Sequence, residues 1–500
     1  MNTQNFARMR HIKNIHNGQE SVDRIKDQVK KHPWYLQYHV SPQANWMNDP
    51  TGFSFFNNEY HLFYQHYPYD HTWGLMHWAH VKSKDLVHWE HMPIALTPSE
   101  SYDADGCFSG SAIEINNKLL LMYTGHVITG TNSDDDLIET QAIAISSDGA
   151  VFEKIDENPV IKSLPEGDFH QGHFRDPKIW KNENTYYAII GSTTKDKTKG
   201  QAVLFKSINL TEWAFVTTVA KAGNNQGTMW ECPDLFELNK KYILIISPQG
   251  ICPEGMYYHN HHQSGFFIGD FDYDDGRLKN YNEFQLLDYG FDFYAPQTVY
   301  DKYGRRILIG WMNMWESEMP TKKFGWAGAM TIPRLLELKE GSLKIRPIPE
   351  MRILRKNEVI YKDIIVKEAL SLPKVVGDCI ELEIELDLKD ALRFAIKMRV
   401  NDVDDEETVF SYDVIKGLIS LDRNRSGEGV KGIRSAEHKI KDHKMKLNIF
   451  MDKSSIEIFI DEGEKVMTTR IFPKNISKGI LFLAEGKARI ISICKWDLSI

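Results

Sequence analysis

The sequence predicts an all-β chain: a β-propeller followed by a β-sandwich, with a short helical extension at the amino end. Three observations predict it. From Tyr60 to about Arg346 the apolar residues fall in short runs broken by turns, such as Lys118 to Tyr123, Tyr186 to Gly191, Tyr242 to Ser247 and Arg306 to Gly310. No sustained helical periodicity separates them, which argues against a (β/α)₈ barrel. A weak repeat runs through the same region: Ser83-Lys84-Asp85 before Trp89, Ser146-Ser147-Asp148 before Phe152, and Ser207-Ile208-Asn209 before Trp213. Its third positions, 85, 148 and 209, are spaced by 63 and 61 residues, a period that suits a four-stranded blade with sizeable loops. Near the carboxyl end, Ile380, Leu382, Ile384 and Leu386 alternate with Glu381, Glu383, Glu385 and Asp387, the pattern of a half-buried strand.

In chain order, residues 1–36 form the extension. Its best helix runs from Ser21 to Lys31, with Ser21 as N-cap and Val22, Ile25 and Val29 on one side, packed outside the propeller. The propeller is expected over residues 37–347. Pro347-Ile348-Pro349 and the partly basic stretch Arg352 to Lys356 mark a boundary, and the sandwich is expected over 358–500. Within it, Leu447 to Met451 and Ile456 to Ile460 flank Asp452-Lys453-Ser454-Ser455 and read as a hairpin.

At 500 residues the chain exceeds a single core. A formal net charge of −9 without a long basic run argues against nucleic acid as a partner. No stretch approaches the roughly 20 apolar residues of a membrane helix. Met1 to Lys31 lacks the apolar core of a secretory leader. The five cysteines are an odd number, widely spaced, with no CxxC pair; they read as reduced thiols rather than a disulfide framework or zinc site. These features together predict a cytoplasmic protein; no cofactor is expected.

Three acidic motifs carry the chemistry: Trp46-Met47-Asn48-Asp49-Pro50, Phe174-Arg175-Asp176-Pro177 and Trp230-Glu231-Cys232-Pro233-Asp234. Proline fixes its own φ and restricts the residue before it, so each carboxylate is expected on a stiff turn or strand end. The spacing from 49 to 176 is about two repeat periods and that from 176 to 234 about one, so one carboxylate per blade would point into a central funnel. Two rigid carboxyl groups facing a sugar are what glycosidic cleavage needs, and neighbouring aromatics fit a sugar site. Glu231, between Trp230 and Cys232, fits a general acid if desolvation and a neighbouring carboxylate favour its protonated form. Cys232 reads as a small buried hydrophobe. Trp73, His77 and Trp78 fit a pocket wall or blade packing equally well. His259-Asn260-His261-His262 lacks partners at metal-ligand spacing and reads as a loop with exposed imidazoles.

These residues resemble glycoside hydrolase family 32, the invertase and fructanase family. The resemblance runs from His39, Pro42 and Met47-Asn48-Asp49-Pro50 through Tyr60 to Gln65, Ser83 to Trp89, Phe108-Ser109-Gly110-Ser111, the Arg-Asp-Pro and Glu-Cys-Pro motifs, Asp292 to Gln297 and Gly310-Trp311. It continues to Ser454 to Phe459 and Thr469 to Pro473. It implies five blades joined to a sandwich and cleavage of β-fructofuranosidic bonds with retention and without metal. By position it implies Asp49 as nucleophile, Glu231 as acid/base and Asp176 as the stabiliser that grips fructose hydroxyls. Asn48, Gln65, Trp73, Phe108, Ser109, Arg175, Tyr294 and Trp315 fall at positions that line the fructose pocket. Thr51 departs from the pattern, standing where the family usually has Asn, and a hydroxyl replaces only part of an amide's hydrogen bonding.

The resemblance and the expected location point to a small sugar substrate: sucrose phosphorylated on the glucose 6-position first, plain sucrose or short fructans second. An inverting propeller glycosidase and a non-catalytic sugar-binding propeller are the rivals from other classes. No Gly-rich phosphate cradle is present, and neither a phosphate site nor an oligomeric state is legible.

Overall fold

The structure, a computed structural model, describes residues 3–132 and 135–500. Five antiparallel sheets stand around one axis. Blade I contains Asn45–Phe56, Glu59–Tyr67, His77–Ser83 and Trp89–Leu96, counted from the axis outward; blade II contains Gly106–Ile115, Lys118–Ile128, Leu137–Ser146 and Glu153–Lys154. Blade III contains Phe174–Asn182, Thr185–Thr193, Gly200–Ser207 and Ala214–Lys221. Blade IV contains Met229–Leu238, Lys241–Gln249 and Gly265–Asp272, edged by two short strands; blade V contains Tyr294–Tyr300, Arg306–Trp311, Arg334–Lys339 and Ser342–Pro347. The apolar runs picked out in the sequence are the second strands of blades II to V.

The Ser-x-Asp/Asn repeat is the turn from third to fourth strand. Asp85 Oδ1 accepts the backbone N–H groups of Val87 and His88 at 2.9 and 2.8 Å, Asp148 Oδ1 those of Ala150 and Val151 at 2.8 and 3.0 Å, and Asn209 Oδ1 those of Thr211 and Glu212 at 3.2 and 2.9 Å. A short acidic or amide side chain that caps its own turn serves the same place in blades I to III, which is why it repeats with the blade there.

The inner strands of neighbouring blades touch in a closed ring, blade V meeting blade I. The ring is tied shut by Trp326–Ala327, which follows blade V's second strand and pairs in parallel with Asn45 and Trp46 of blade I.

The helical extension differs from its expected form. It is a helix Thr3–Asp23 and a short helix Lys26–Lys30, so Ser21 lies inside the first helix rather than capping it. The first helix packs on the outer strand of blade I. Its contact positions, Ala7, His11, Gly18 and Val22, are small or polar and give no apolar stripe to read. His11 Nδ1 meets Thr97 Oγ1 at 2.9 Å, Asn14 Nδ2 donates to Pro98 O at 2.7 Å, and a Cβ on Gly18 would stand 2.8 Å from Ile94. Val22, Ile25 and Val29 do share one side, packed with Trp34, Trp326 and Phe472.

The sandwich begins with Arg355–Val366, which pairs with the last strand, Gly479–Leu498. That strand and Ile380–Asn401 are long, pair with each other along most of their length and are broken by register shifts. The first half of Ile380–Asn401 pairs with Lys444–Asp452 and the second with Glu406–Asp413. The hairpin of Lys444–Asp452 and Ser455–Ile460 stands as the alternation predicts.

Propeller and sandwich share a buried ionic network. Arg334 donates to Asp288 Oδ2 at 2.9 Å and to Glu457 Oε2 at 2.6 Å, while His39 places its two ring nitrogens 2.8 Å from Asp452 and 2.9 Å from Glu457. All five side chains are essentially inaccessible. Removing one partner of such a network strands a buried charge. Glu457→Leu is therefore expected to lower the unfolding free energy by about 3–5 kcal/mol, measured by urea denaturation. Burial alone lowers the pKa of His39, but the hydrogen bonds and charges of Asp452 and Glu457 outweigh it and raise the pKa. The stability it contributes is full below the ordinary histidine value of about 6.5 and fades as pH rises through the elevated one. His39→Gln should thus cost most near the acid end and progressively less toward alkaline pH; a penalty independent of pH would show that His39 is neutral.

Candidate active site

Every inner strand slips register near its start, and that of blade I slips a second time between Thr51 and Ser54. The slips fall between Met47 and Pro50, between Phe108 and Gly110, at Asp176-Pro177 opposite Ile189 to Gly191, between Glu231 and Asp234, and between Tyr294 and Gln297. These are β-bulges, and four of the five contain proline, whose missing N–H a bulge tolerates. They align Asn48-Asp49-Pro50 with Arg175-Asp176-Pro177, Glu231-Cys232-Pro233 and Tyr294-Ala295-Pro296. Asp176, Cys232 and Ala295, each just before the proline, have φ of 64°, 48° and 48°. A non-glycine residue there is strained by on the order of 1–3 kcal/mol, and a residue before proline ordinarily avoids it.

The alignment corrects the periodicity read from the sequence. Asp234 lies beyond its bulge and faces the blade interface, where it accepts Thr298 Oγ1 at 2.6 Å, Arg306 Nη2 at 3.0 Å and Lys178 Nζ at 2.9 Å. Cys232 occupies the aspartate position in blade IV and alanine takes it in blade V. Carboxylates therefore stand at the bulges of only three blades.

Asp49, Asp176 and Glu231 converge on the axis. Cys232 marks the meeting point, its Sγ 3.9 Å from Asp49 Oδ2 and 3.6 Å from Asp176 Oδ2, while its backbone N–H donates to Asp176 Oδ2 at 3.0 Å. Asp49 Oδ2 also accepts Ser109 Oγ at 3.0 Å; its other oxygen, Oδ1, is buried and accepts no hydrogen bond from the described residues. Glu231 is gripped from two sides: Arg175 Nε and Nη2 donate to Oε1 at 3.0 and 2.8 Å, and the Tyr294 hydroxyl donates to Oε2 at 2.6 Å.

Thr51 restores what its departure put in doubt. Its hydroxyl donates to Gly110 O and accepts Gly110 N–H, both at 2.8 Å, fastening the Asp49 bulge to blade II. Gly110 is also pressed against its neighbouring strand, where a Cβ would lie 2.0 Å from Met122 O. Ser111 repeats the device toward blade III, donating to Pro177 O at 2.7 Å and accepting Ile179 N–H at 2.9 Å.

The charges are distributed against expectation. Burial, then the charge of Glu231, pushes Asp49 up to about 7. Burial and Glu231 also raise Asp176 well above the carboxylate range, although Arg175 opposes them. Burial raises Glu231 too, but Arg175, Tyr294 and His262 together outweigh it and hold Glu231 below its ordinary value. The desolvated, proton-favouring environment predicted for Glu231 is thus found at the two aspartates, because Arg175 lies on the glutamate side. Three coupled carboxylates share these protons as a set.

The remaining predicted residues sort by position. Asn48 Oδ1 accepts Trp46 Nε1 at 2.7 Å, and Gln65 Nε2 donates to Cys107 O at 2.9 Å; both side chains are fixed beside the centre. Phe108 stacks on His126 at 4.0 Å, and Trp73, 46% exposed at the rim, meets Phe108 edge-on. Trp315 lies 5.9 Å from Trp46 and 5.1 Å from Trp311, forming an aromatic wall without touching the carboxylates. His77 and Trp78 are blade packing: both are buried, and Trp78 Nε1 donates to Phe108 O.

Sequence reasoning missed two residues that shape the charge. Glu139 accepts Phe174 N–H at 2.7 Å and stands 3.5 Å from Arg175 Nη1; burial raises its pKa, but Arg175 and His126 bring it down to about 2. No motif surrounds it. His262 is half-buried rather than exposed, 5.7 Å from the Tyr294 ring and within electrostatic reach of Glu231.

Known proteins resemble this chain in sequence and fold. The family model "Glycosyl hydrolases family 32 N-terminal domain" matches residues 39–347 and "Glycosyl hydrolases family 32 C terminal" matches 350–497. A sucrose-6-phosphate hydrolase of Zymomonas mobilis is 40% identical over 97% of this chain and 96% of its own. Among solved structures, a Bombyx mori GH32 β-fructofuranosidase in complex with sucrose superposes with a TM-score of 0.84 at 36% identity, covering 97% of this chain and 98% of the other. The sucrose-6-phosphate hydrolase of Lactobacillus gasseri superposes with a TM-score of 0.85 at 30% identity, covering 96% of each.

Arg175→Gln tests the charge distribution directly. Without the guanidinium, burial dominates at Glu231, and its pKa is expected to rise from below to above the ordinary glutamate value, read by ¹³C NMR of carboxyl-labelled glutamate. An unchanged Glu231 titration would mean that Arg175 does not set it.

Proposed function

The chain belongs to glycoside hydrolase family 32, and from that premise we propose that Asp49, Glu231 and Asp176 carry a retaining hydrolysis of sucrose 6-phosphate to glucose 6-phosphate and fructose. The observation that carries this reading is the gathering of three buried carboxyl groups at the axis, with Asp49 Oδ1 left without a hydrogen-bond partner among the described residues and Glu231 held by Arg175 and Tyr294.

In this reading Asp49 Oδ1 attacks the anomeric C2 of the fructosyl unit while Glu231 protonates the departing glycosidic oxygen, and charge develops on the ring as an oxocarbenium-like state. A fructosyl ester of Asp49 forms. Glu231, now ionised, takes a proton from water, whose oxygen opens the ester and releases fructose with its original configuration. Asp176 accepts ring hydroxyls and fixes the sugar, a positioning effect. The lining residues Asn48, Gln65, Trp73, Phe108, Ser109, Arg175, Tyr294 and Trp315 complete the pocket.

The protein's own charges favour the proton on the aspartates, so substrate must move it. Sugar hydroxyls donating to Asp176 and Asp49 favour their ionised forms, and the glycosidic oxygen offers Glu231 an acceptor that only the protonated glutamate satisfies. The site's total proton count is unchanged; its place is.

The phosphorylated substrate is supported by the names of the Zymomonas and Lactobacillus relatives, and plain sucrose is the second reading, supported by the sucrose bound to the Bombyx enzyme. A cytoplasmic setting is supported by five unpaired cysteines, which a reducing compartment keeps as thiols. Among the described residues no helix is long and apolar enough to cross a membrane.

Turnover of sucrose 6-phosphate beside sucrose tests the reading. Asp49→Ala is expected to lower kcat by about 10⁴-fold or more on both, as loss of a nucleophile does. Glu231→Gln should cost about 10²–10⁴-fold, the usual worth of a general acid/base. Proton NMR of the first product should show β-fructofuranose before mutarotation, and an inverted anomer would exclude the ester of Asp49.

A further inference from the structure

A sugar phosphate brings a charge of about −2 to a funnel lined by carboxylates, so its recognition needs a cation that those carboxylates have not already neutralised. Several cations of the propeller are already committed. Arg175 is shared by Glu139 and Glu231, Lys197 pairs with Asp135, Lys221 lies 2.5 Å from Asp168, and His261 stands 3.6 Å from Glu316.

Lys322 is different. It lies in the turn Pro320–Phe324, just before the Trp326–Ala327 strand that closes the ring onto blade I. Its Nζ stands 5.1 Å from the centre of the Trp46 ring and makes no ion pair among the described residues. Trp46 is three residues from Asp49, toward the start of the inner strand and hence toward the mouth. Its indole N–H holds Asn48, and its ring lies beside Trp315. The ammonium therefore sits over an aromatic wall of the kind that takes the face of a hexose. Lys322 is half-buried, and burial lowers its pKa against a weak opposing effect of Asp70. The Asp70 carboxylate is occupied by the N–H and hydroxyl of Thr72, at 3.0 and 3.1 Å. A partly desolvated ammonium without a counter-ion gains from a dianion that arrives with the substrate.

We propose that Lys322 Nζ binds the phosphate of the hexose 6-phosphate leaving group, with Trp46 and Trp315 forming the wall along which that hexose lies. This assignment rests on the phosphorylated-substrate reading above and gives it a place on the protein. Lys322 is a specificity residue: it contacts the leaving group away from the bond that breaks.

The test compares kcat/KM for sucrose 6-phosphate and sucrose in wild type, Lys322→Ala and Lys322→Arg, with inhibition by glucose 6-phosphate and by glucose beside them. Losing a charge-assisted hydrogen bond is worth about 10–100-fold. The preference ratio should fall by about that factor in Lys322→Ala, chiefly through KM, and stay near wild type in Lys322→Arg. The inhibition constant of glucose 6-phosphate relative to that of glucose should rise by the same factor. If wild type prefers the phosphorylated sugar and Lys322→Ala keeps that preference within twofold, the phosphate is held elsewhere and the Lys322 assignment is wrong while the substrate reading stands. If wild type shows no preference, the substrate reading itself fails, and Lys322 with it.

Discussion

Five strands meeting at one axis cannot all remain regular, and the site is built from the way they fail to. A bulge interrupts each inner strand where it comes closest to its neighbours, and in four of the five it is sealed by proline. A bulge bends the strand and re-aims a side chain that would otherwise point into a blade interface. The left-handed backbone at Asp176 and Cys232 has the same effect. Hydroxyls then bolt one bulge to the next, Thr51 to Gly110 and Ser111 to Pro177, so the carboxylates are fixed by the closure of the ring rather than by their own rotamers. Preorganisation of this kind is what lets a site hold several like charges close together.

Like charges at that density need a counter-charge, and Arg175 supplies it from the same bulge that presents Asp176. Because it reaches Glu231 on one side and Glu139 on the other, the positive charge lies on the glutamate side of the site. That asymmetry separates the carboxylates into one held ionised and two biased toward protonation. Burial alone would have raised all three.

The fold was legible to the extent that its local needs repeat. Turn chemistry such as Asp85, Asp148 and Asn209 recurs because blades I to III make the same turn, and the second strands stand out because both of their faces are buried. The helix Thr3–Asp23 is not legible because most of its contact face, Ala7, His11 and Gly18, is small or polar and gives no stripe of large apolar side chains. Proline beside a carboxylate did mark the stiff points of the site, yet the beat was counted to Asp234 when the bulge aligns Cys232. Two residues were invisible for a physical reason. Glu139 and His262 act at a distance in sequence from any motif, and only the ring brings them to Arg175 and Glu231. The direction of Glu231's shift was equally beyond a linear reading, since it depends on which side of a glutamate an arginine on the neighbouring blade happens to lie.

The sandwich enters this argument through a single loop. The segment before blade V pairs its backbone with the sandwich strand Lys465–Arg470, with Phe291 N–H donating to Thr468 O at 2.7 Å. One residue on, Asp292 accepts Arg423 Nη1 at 2.5 Å and Arg470 N–H at 2.7 Å, all buried. Tyr294 follows two residues later and donates its hydroxyl to Glu231. The approach of that hydroxyl is therefore set by ion pairing across the junction between propeller and sandwich, and the left-handed turn at Ala295 carries the strain of reaching it. A propeller edge alone would leave this loop to solvent. With Asp292 clamped, the second grip on Glu231 becomes part of the rigid frame, and the sandwich takes part in fixing the charge of a site that none of its own side chains enters.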